Sequence, residues 1–569
     1  YRRNTSIDEK SNGFLIGGSL PLFSNRKKNK IAHAQAVSAR LRLDDVRLQT
    51  EADVQSRYNE LRQLDEAMRA YDVALMTNTL DLLKEAHVNT VLFQTRIRGT
   101  VIYPSTQEPW DGCTSGNPGQ NPGYDPLQFA IDECHRRGME LHAWVVTIPI
   151  GKWNGAGARN LMRRNLRLVK RIGDEAYMNP EAAGTADYLA DLCGDITKRY
   201  DVDGIHLDYI RYPETWKINI NRQTGRTYIT RIAQAISQKV KSIKPWVKMS
   251  CSPIGKYKDL DRQESYGWNA YTRVCQDAQQ WLRDGIMDQL YPMMYFDGKH
   301  FYPFASDWSD NRYDGQTAAG LGIYMLSPKE RNWSLSAVER QMNVARQMGL
   351  GHAYFRTKFL TDNVKGIYDF VCRFDATLAL TPALKTSTPA PAAPQHFSVT
   401  PSPSGYRLSW APVTSQHPNE YIVYTVYAST HYPVNTNDAN NIVAIRWQDT
   451  TIEIKRQKTE APLHFAVSAV DRYGQESLPA QPNRTTAQQE AKTSLLDCDG
   501  TTLHIPTELL TEEITTIAIC SMQGQTLATH PADTAIPIGF LPDGVYEVVS
   551  PRQHDNQQHI GYFVIRKGK

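Results

Sequence analysis

The chain has 569 residues, of which 41% are hydrophobic and 22% charged, with a formal net charge of +4. That length exceeds one hydrophobic core and suggests roughly two to four domains. The charge is spread along the sequence with no basic stripe that would point to nucleic acid, and no apolar run reaches the roughly 18 residues a membrane-spanning helix needs.

The eight cysteines are scattered, and none forms a CxxC pair, which argues against a zinc or iron–sulfur site and against a disulfide framework. Tyr1 in place of Met suggests a processed chain or a fragment, so an export signal lost upstream is compatible with the sequence.

Residues 1–70 give no interpretable pattern, although Gly13–Phe23 and Gln35–Arg42 are candidate strands. From about residue 71 to 381 strand and helix signals alternate. Asp72–Ala86 reads as a helix and Asn89–Arg96 as a strand, followed by a helix over Pro126–Arg137 and a strand over Glu140–Thr147. Thr185–Arg199 is a helix that leads into the strand Val202–Asp208. The helix Tyr228–Ile243 precedes the strand Val247–Ser252, and the helix Asp277–Asp284 precedes the strand Met287–Tyr295. Gly320–Leu326, the helix Leu335–Met348 and the strand Gly351–Phe355 close the region. Strands alternating with helices predict an α/β fold with a parallel sheet, and a (β/α)8 barrel requires one more strand before residue 71.

Residues 382–395 form a Pro/Ala linker. Beyond it, short alternating strands at His396–Val399, Tyr406–Trp410, Tyr421–Ala428 and Leu463–Asp471 predict a small β-sandwich over 396–487. A second all-β module follows over 490–569.

The most informative segment is Tyr200–Pro213. On a strand Gly204, His206 and Asp208 share one face, and Ile205 and Leu207 share the other. The polar set then points into the barrel with Asp208 at the carboxyl end, where parallel α/β folds place their chemistry. Asp203 has the opposite parity and reads as structural. By the same rule Gln94 pairs with Arg96, Glu140 with His142 and Trp144, and Tyr291 with Tyr295, while Tyr324 lies on the seventh strand. Rings and hydrogen-bonding groups gathered at one rim suit a sugar site. His142 and His206 with scattered carboxylates favour hydrogen-bonding roles over a metal, and no cofactor is expected.

Eight segments in order carry a family resemblance: Asn89–Gly99, Tyr103–Ser105, Glu108–Trp110, Tyr124–Pro126, His135–Trp144, Tyr200–Pro213, Ser252–Pro253 and Tyr291–Tyr295. Together they resemble the glycosyl-hydrolase-like family 10 of bacterial (β/α)8 proteins. The resemblance implies an extracytoplasmic glycosidase acting on cell-wall or other polysaccharide. The first strand that members carry ahead of the first helix is not found in residues 1–70. Residues 396–487 resemble a fibronectin type III module through Trp410 and Phe465–Ser477. The tail resembles a C-terminal sorting-type β-domain of the Bacteroidetes through Leu541–Tyr546, which suggests cell-envelope association.

Glycoside hydrolysis usually employs two carboxyl groups. Asp208 is expected to be the nucleophile or charged stabiliser, kept ionised by neighbouring Arg211 or a protonated His206. Glu108, beside Trp110, is expected to be the acid, with Asp111, Glu214, Asp288 and Asp297 as rivals. Gln94, Arg96, Trp110, His142, Trp144, His206, Tyr209, Arg211, Tyr291 and Tyr295 are the expected substrate contacts. The alternatives from other classes are a non-catalytic glycan-binding protein and a metal-dependent polysaccharide deacetylase.

Overall fold

The computed structural model describes residues 73–565 apart from 262–266, 416–419, 456–462, 483–495, 511–513, 522–524 and 551–557. The candidate first strands in residues 1–70 lie outside the described residues.

The expected parallel sheet is present. In chain order its strands are β1 (Thr90–Arg96), β2 (Glu140–Val146), β6 (Gly204–Asp208), β7 (Lys248–Cys251), β8 (Gln289–Leu290), β9 (Gln316–Leu321) and β10 (Gly351–Tyr354), and neighbours in that order pair in parallel. Between β2 and β6 an insertion forms a small antiparallel sheet from β3 (Pro149–Lys152), β4 (Val169–Ile172) and β5 (Glu175–Met178). Among the described residues β1 and β10 are the outer strands, each with one neighbour in the sheet.

Helices run between the strands, among them 73–85, Pro126–Arg136, Gly184–Arg199, Arg222–Ile243 and Leu335–Gln347. Local chemistry sets their starts. Pro126 occupies the first turn, and the Asp125 carboxylate accepts from the backbone N–H groups of Leu127 and Gln128. Strand parity then fixes the core. Ile205 and Leu207 are fully buried in one cluster with Leu189, Leu192 and Ile196 of the neighbouring helix.

The sequence places a strand over Gly320–Leu326. The structure instead ends β9 at Leu321 and turns Ile323–Leu326 into a 3-10 helix, so Tyr324 stands on the rim beyond the strand. Five of the other six strands match expectation to within about two residues at each end, whereas the strand expected over Met287–Tyr295 is reduced to β8, so Tyr291 and Tyr295 lie beyond it rather than on one strand face.

At the amino ends of the strands the barrel floor is ionic. Lys248 Nζ donates to both oxygens of Glu140 at 2.7 and 2.8 Å, and His142 Nε2 lies 3.2 Å from the same carboxylate. Asp203 accepts from the Leu141 N–H at 2.9 Å and lies 2.7 Å from His135 Nε2, which supports its structural reading. Burial pushes both carboxylates up, but the cations outweigh it and hold both well below the usual range.

Two of those cations come from beyond residue 395. The β-sandwich consists of two three-stranded sheets, β11–β12–β15 (Ser398–Ser402, Gly405–Ser409, Thr451–Lys455) and β14–β13–β16 (Ile442–Trp447, Val423–Ser429, His464–Val470). Trp410 packs between them against Tyr424. Arg446 donates to Asp203 at 2.7 Å and lies 3.4 Å from Glu140, while Arg472 reaches Asp201 at 3.0 Å. Contact there is so close that a Cβ on Gly138 would sit 2.6 Å from the Ile445 carbonyl oxygen.

The Pro/Ala stretch is tied down as well. Thr381 donates to Glu140 at 2.6 Å, and the Leu384 N–H donates to the Tyr473 carbonyl at 2.7 Å. The composition predicts a free spacer; these bonds make the stretch part of a shared body with the barrel and the sandwich.

Residues 482–569 form a separate compact unit. Its sheets are β17–β18–β21 (Asp497–Cys498, Thr502–His504, Ala535–Pro537) and β20–β19–β22–β23 (Thr526–Pro531, Thr516–Ser521, Gly544–Ser550, Gln558–Ile565), around Leu503, Ile517, Ile519 and Phe563. No helix among the described residues is long and apolar enough to cross a membrane.

Removing one partner from a buried ion pair strands the other charge, at a cost of about 3–5 kcal/mol. Arg446→Ala should therefore lower stability by roughly that amount in urea unfolding, whereas Arg407→Ala, which removes an exposed pair with Glu453, should cost roughly 0–1 kcal/mol. Equal effects would refute the floor's role.

Candidate active site

The inward row at the middle of the barrel is set by register. Gln94 pairs with Trp144, Trp144 with His206, His206 with Ser250, and Ser250 with Gln289. One step nearer the carboxyl ends, Val146 pairs with Asp208. Gly204 permits this packing, since a Cβ there would fall 2.6 Å from the His142 ring.

A cavity of about 890 Å³ opens along this face, lined on its rim side by Trp144, His206, Asp208, Tyr209, Ser252, Tyr291, Tyr295, Tyr324, Phe355 and Arg356. It continues between β1 and β10 toward the floor, past Leu92, Ala353 and Asp375. A (β/α)8 barrel fills its interior with side chains from all eight strands, so this lower half is the space an eighth strand's side chains would occupy.

Asp208 is 5% exposed. Its Oδ1 accepts from the Tyr209 N–H at 2.7 Å, and its Oδ2 accepts from Trp144 Nε1 at 3.2 Å. Tyr209 takes a left-handed backbone conformation with φ of 52°, an uncommon state for a bulky residue, and it aims that N–H at the carboxylate.

The sequence predicts that Arg211 or a protonated His206 keeps Asp208 ionised. In the structure Arg211 does favour the carboxylate, but burial is the larger influence and His206 gives no charge. Burial lifts the Asp208 carboxyl to about 6, outweighing Arg211 and the two hydrogen bonds. Arg211 spends its charge on Glu214, 2.6 Å away, and lies over the Tyr209 ring. His206 is pushed down to about 3, first by burial and then by nearby His142, so it is neutral. Its two ring nitrogens lie 3.0 Å from Ser250 Oγ and 2.7 Å from Ser252 Oγ.

Glu108 and Arg96 go elsewhere. A bulge between Gln94 and Arg96 shifts the register, so Arg96 pairs with Val145 rather than Val146. The expected shared face of Gln94 and Arg96 is therefore absent. Arg96 meets Glu108 through two bonds of 2.8 and 2.7 Å, and Tyr188 on the Gly184–Arg199 helix donates to Glu108 at 3.0 Å. Both Glu108 oxygens are occupied and the residue does not line the cavity, so the expected acid is a structural partner in the wall.

Trp110 lies in that same wall, in a bridge to Val101, and it too is off the cavity. The rivals are likewise engaged. Asp111 and Asp297 accept from backbone N–H groups, Asp288 pairs with Lys241, and Glu214 holds Arg211.

The structure brings together Trp144, His206, Asp208, Tyr209, Tyr291 and Tyr295. His142 and Arg211 stand just behind them, and Gln94 is buried beside Trp144 with its amide unpartnered among the described residues. Sequence reasoning missed three groups. Ser252 and Phe355 were readable as strand-end residues; Glu330, on the loop after the 3-10 turn, lines the same cavity and carried no local signal. A wall of rings surrounds this rim: Tyr295 stacks on Phe355 at 5.2 Å and meets Tyr324 edge-on at 5.6 Å. Among the described residues no group of three or more His, Cys, Asp or Glu side chains is placed to hold a metal.

Sequence comparison bears on what this rim does. Residues 64–228 and 216–319 match the family Glycosyl hydrolase-like 10. Among curated relatives, glycosyl hydrolase DigH of Escherichia coli K12 is 29% identical over 283 residues, which cover 44% of this chain. The chain spans 64% of the length of DigH. Glycosyl hydrolase YngK of Bacillus subtilis is 27% identical over 397 residues, 61% of this chain and 76% of YngK. Among solved structures an α-L-fucosidase from Paenibacillus thiaminolyticus gives a TM-score of 0.37 at 14% identity over 56% of this chain and 48% of its own, too slight a likeness to bear on the chemistry. The glycosyl hydrolase-like 10 match and the two relatives support a glycoside-hydrolase type of function.

The Asp208 value has a measurable consequence. Its folded value of about 6 lies above the ordinary Asp value of about 3.9. Between those values the folded state binds more protons, so this group's contribution to stability falls as pH rises through the window. Asp208→Asn should therefore gain on the wild type by up to about 3 kcal/mol between pH 4 and pH 7.5 in urea unfolding. A constant difference across that range would mean that Asp208 titrates normally.

Proposed function

We propose that the chain is a glycoside hydrolase in which Asp208 is the proton donor. The observation that carries the reading is a carboxyl lifted by burial to about 6, so that it takes up a proton just below neutral pH, at the carboxyl end of a central strand inside a cavity walled by rings. Asp208 gives its proton to the glycosidic oxygen as the C–O bond breaks, and the leaving sugar departs as an alcohol. The N–H groups of Trp144 and Tyr209 already point at the carboxylate left behind and stabilise its charge. Neutral His206 relays between two serine hydroxyls and binds substrate hydroxyls rather than charge.

Glu330 is the partner carboxylate in this reading. Among the described residues the carboxylates lining the cavity are Asp208, Glu330 and Asp375, and Asp375 is committed to His352, Tyr354 and Arg346. Glu330 is solvent-exposed and free to act as nucleophile or as base for water. The polysaccharide substrate class, an extracytoplasmic location, the fibronectin type III identity of 396–487 and envelope association through the tail are part of the proposal and rest on sequence resemblance.

A second reading has one observation in its favour. None of the carboxylates expected beside Asp208 lines the cavity, as a glycan-binding barrel without an acid–base pair would show. Reducing-end release from bacterial cell-wall glycans and plant or host polysaccharides separates the two. The hydrolase should turn over at least one of them, with kcat/KM falling as pH rises past about 6. Asp208→Asn should abolish turnover while retaining binding, and Glu330→Gln should lower kcat by about 100-fold or more. Binding without turnover on any glycan would favour the binder; chelator-sensitive release of acetate with no reducing-end release would favour a metal-dependent deacetylase.

A further inference from the structure

Cations are concentrated in the insertion between β2 and β6. Residues 152–175 carry seven Lys and Arg side chains against two carboxylates, a surplus larger than the +4 of the whole chain. All seven are exposed. Lys152 pairs with Glu175 and Arg171 lies near Asp174, whereas Arg159, Arg163, Arg164, Arg167 and Lys170 have no carboxylate partner among the described residues.

The patch sits on a folded scaffold fixed to the catalytic strand. The helix Ala156–Asn165 carries Arg159 and Arg163 one turn apart, and β4 carries Lys170 and Arg171. The insertion starts beside Asp208, whose carbonyl accepts from both the N–H and the hydroxyl of Thr147 at 2.9 and 2.8 Å. It packs on the loop after Asp208 through Tyr177 and Trp216, with Lys170 over the Trp216 ring at 5.4 Å. Leu166, 62% exposed, is the one large hydrophobic residue of the insertion that is well exposed. Burial in a lipid surface draws on a broad apolar face, which this insertion lacks.

We propose that the insertion between β2 and β6 is a subsite for an acidic polysaccharide, holding carboxylate or sulfate groups of a chain whose reacting bond lies at Asp208. A surplus of one sign on a fixed rim raises the local concentration of an oppositely charged polymer by roughly 10- to 1000-fold, and salt weakens the effect. The proposal deepens the glycosidase reading and rests on it for the direction of the chain, but its test reads binding and needs no turnover.

The test uses the full chain and the variant Arg159→Gln/Arg163→Gln/Arg167→Gln. Binding is measured to polygalacturonate, to dextran sulfate and to neutral dextran of matched length, at low and high salt. Wild type should bind the two anionic polymers far better than dextran, with affinity falling as salt rises, and the variant should lose roughly tenfold. The Asp208→Asn protein should bind like wild type, so a failed glycosidase reading leaves this result readable. Equal binding of anionic and neutral chains would overturn the proposal, as would salt-insensitive binding or an unchanged variant. Patch-dependent binding to phosphatidylglycerol vesicles or duplex DNA in preference to both anionic glycans would overturn it in favour of those partners. Should the triple variant fold poorly, the exposed single variants Arg163→Gln and Arg167→Gln carry the same test, and unchanged binding in both would overturn the proposal.

Discussion

A carboxylate taken out of water must find a cation or take up a proton, and among the described residues the barrel buries four: Glu108, Glu140, Asp203 and Asp208. Three are matched. Glu108 has the Arg96 fork, Glu140 has Lys248, and Asp203 has Arg446 and His135. Asp208 is the exception, because the nearest cation faces Glu214 instead. The same constraint that makes the first three structural leaves Asp208 poised to exchange a proton near neutral pH.

This explains why part of the site is legible in the sequence and part is not. Period-two alternation put Gly204, His206 and Asp208 on one face and placed Glu140, His142 and Trp144 beside them, as the register bears out. The alternation fails where the strand does. One bulge after Gln94 turns Arg96 away from the barrel axis, and Glu108 follows it into the wall. A bulge without a glycine to mark it leaves no trace in a single sequence. Glu330 was hidden for another reason: it stands on a loop with no periodicity, and only the turn after β9 brings that loop to the cavity that Tyr295 and Tyr324 line.

Composition and alternation show the linker and the sandwich but not their ties to the barrel. A Pro/Ala stretch followed by an alternating β-pattern reads as a spacer and a separate module. The barrel floor, however, has two buried carboxylates whose cationic or cation-capable barrel partners among the described residues are Lys248, His135 and His142, and further balance comes from Arg446 and Arg472 of the sandwich. Such a pairing spans far too much sequence to be read from spacing. It makes the sandwich part of the body that positions the strands, and through them the rim chemistry. The separate unit at 482–569 has no such obligation, since its core closes on its own apolar residues.

The placement of charge around the rim follows from the chemistry proposed for it. An acid must hold its proton until the glycosidic oxygen is in reach, and a cation beside Asp208 would strip that proton by favouring the carboxylate. Arg211 is close enough to do so, and Glu214 offsets it. Cations that attract an acidic chain must therefore stand off from the cavity, in solvent, where screening limits their reach to roughly 10 Å. The exposed arginines of the insertion meet that condition, while the scaffold under them stays bonded to the strand that carries Asp208. A bound polyanion would then push the Asp208 carboxyl further toward its protonated form, so that occupying the subsite and arming the acid would act in the same direction.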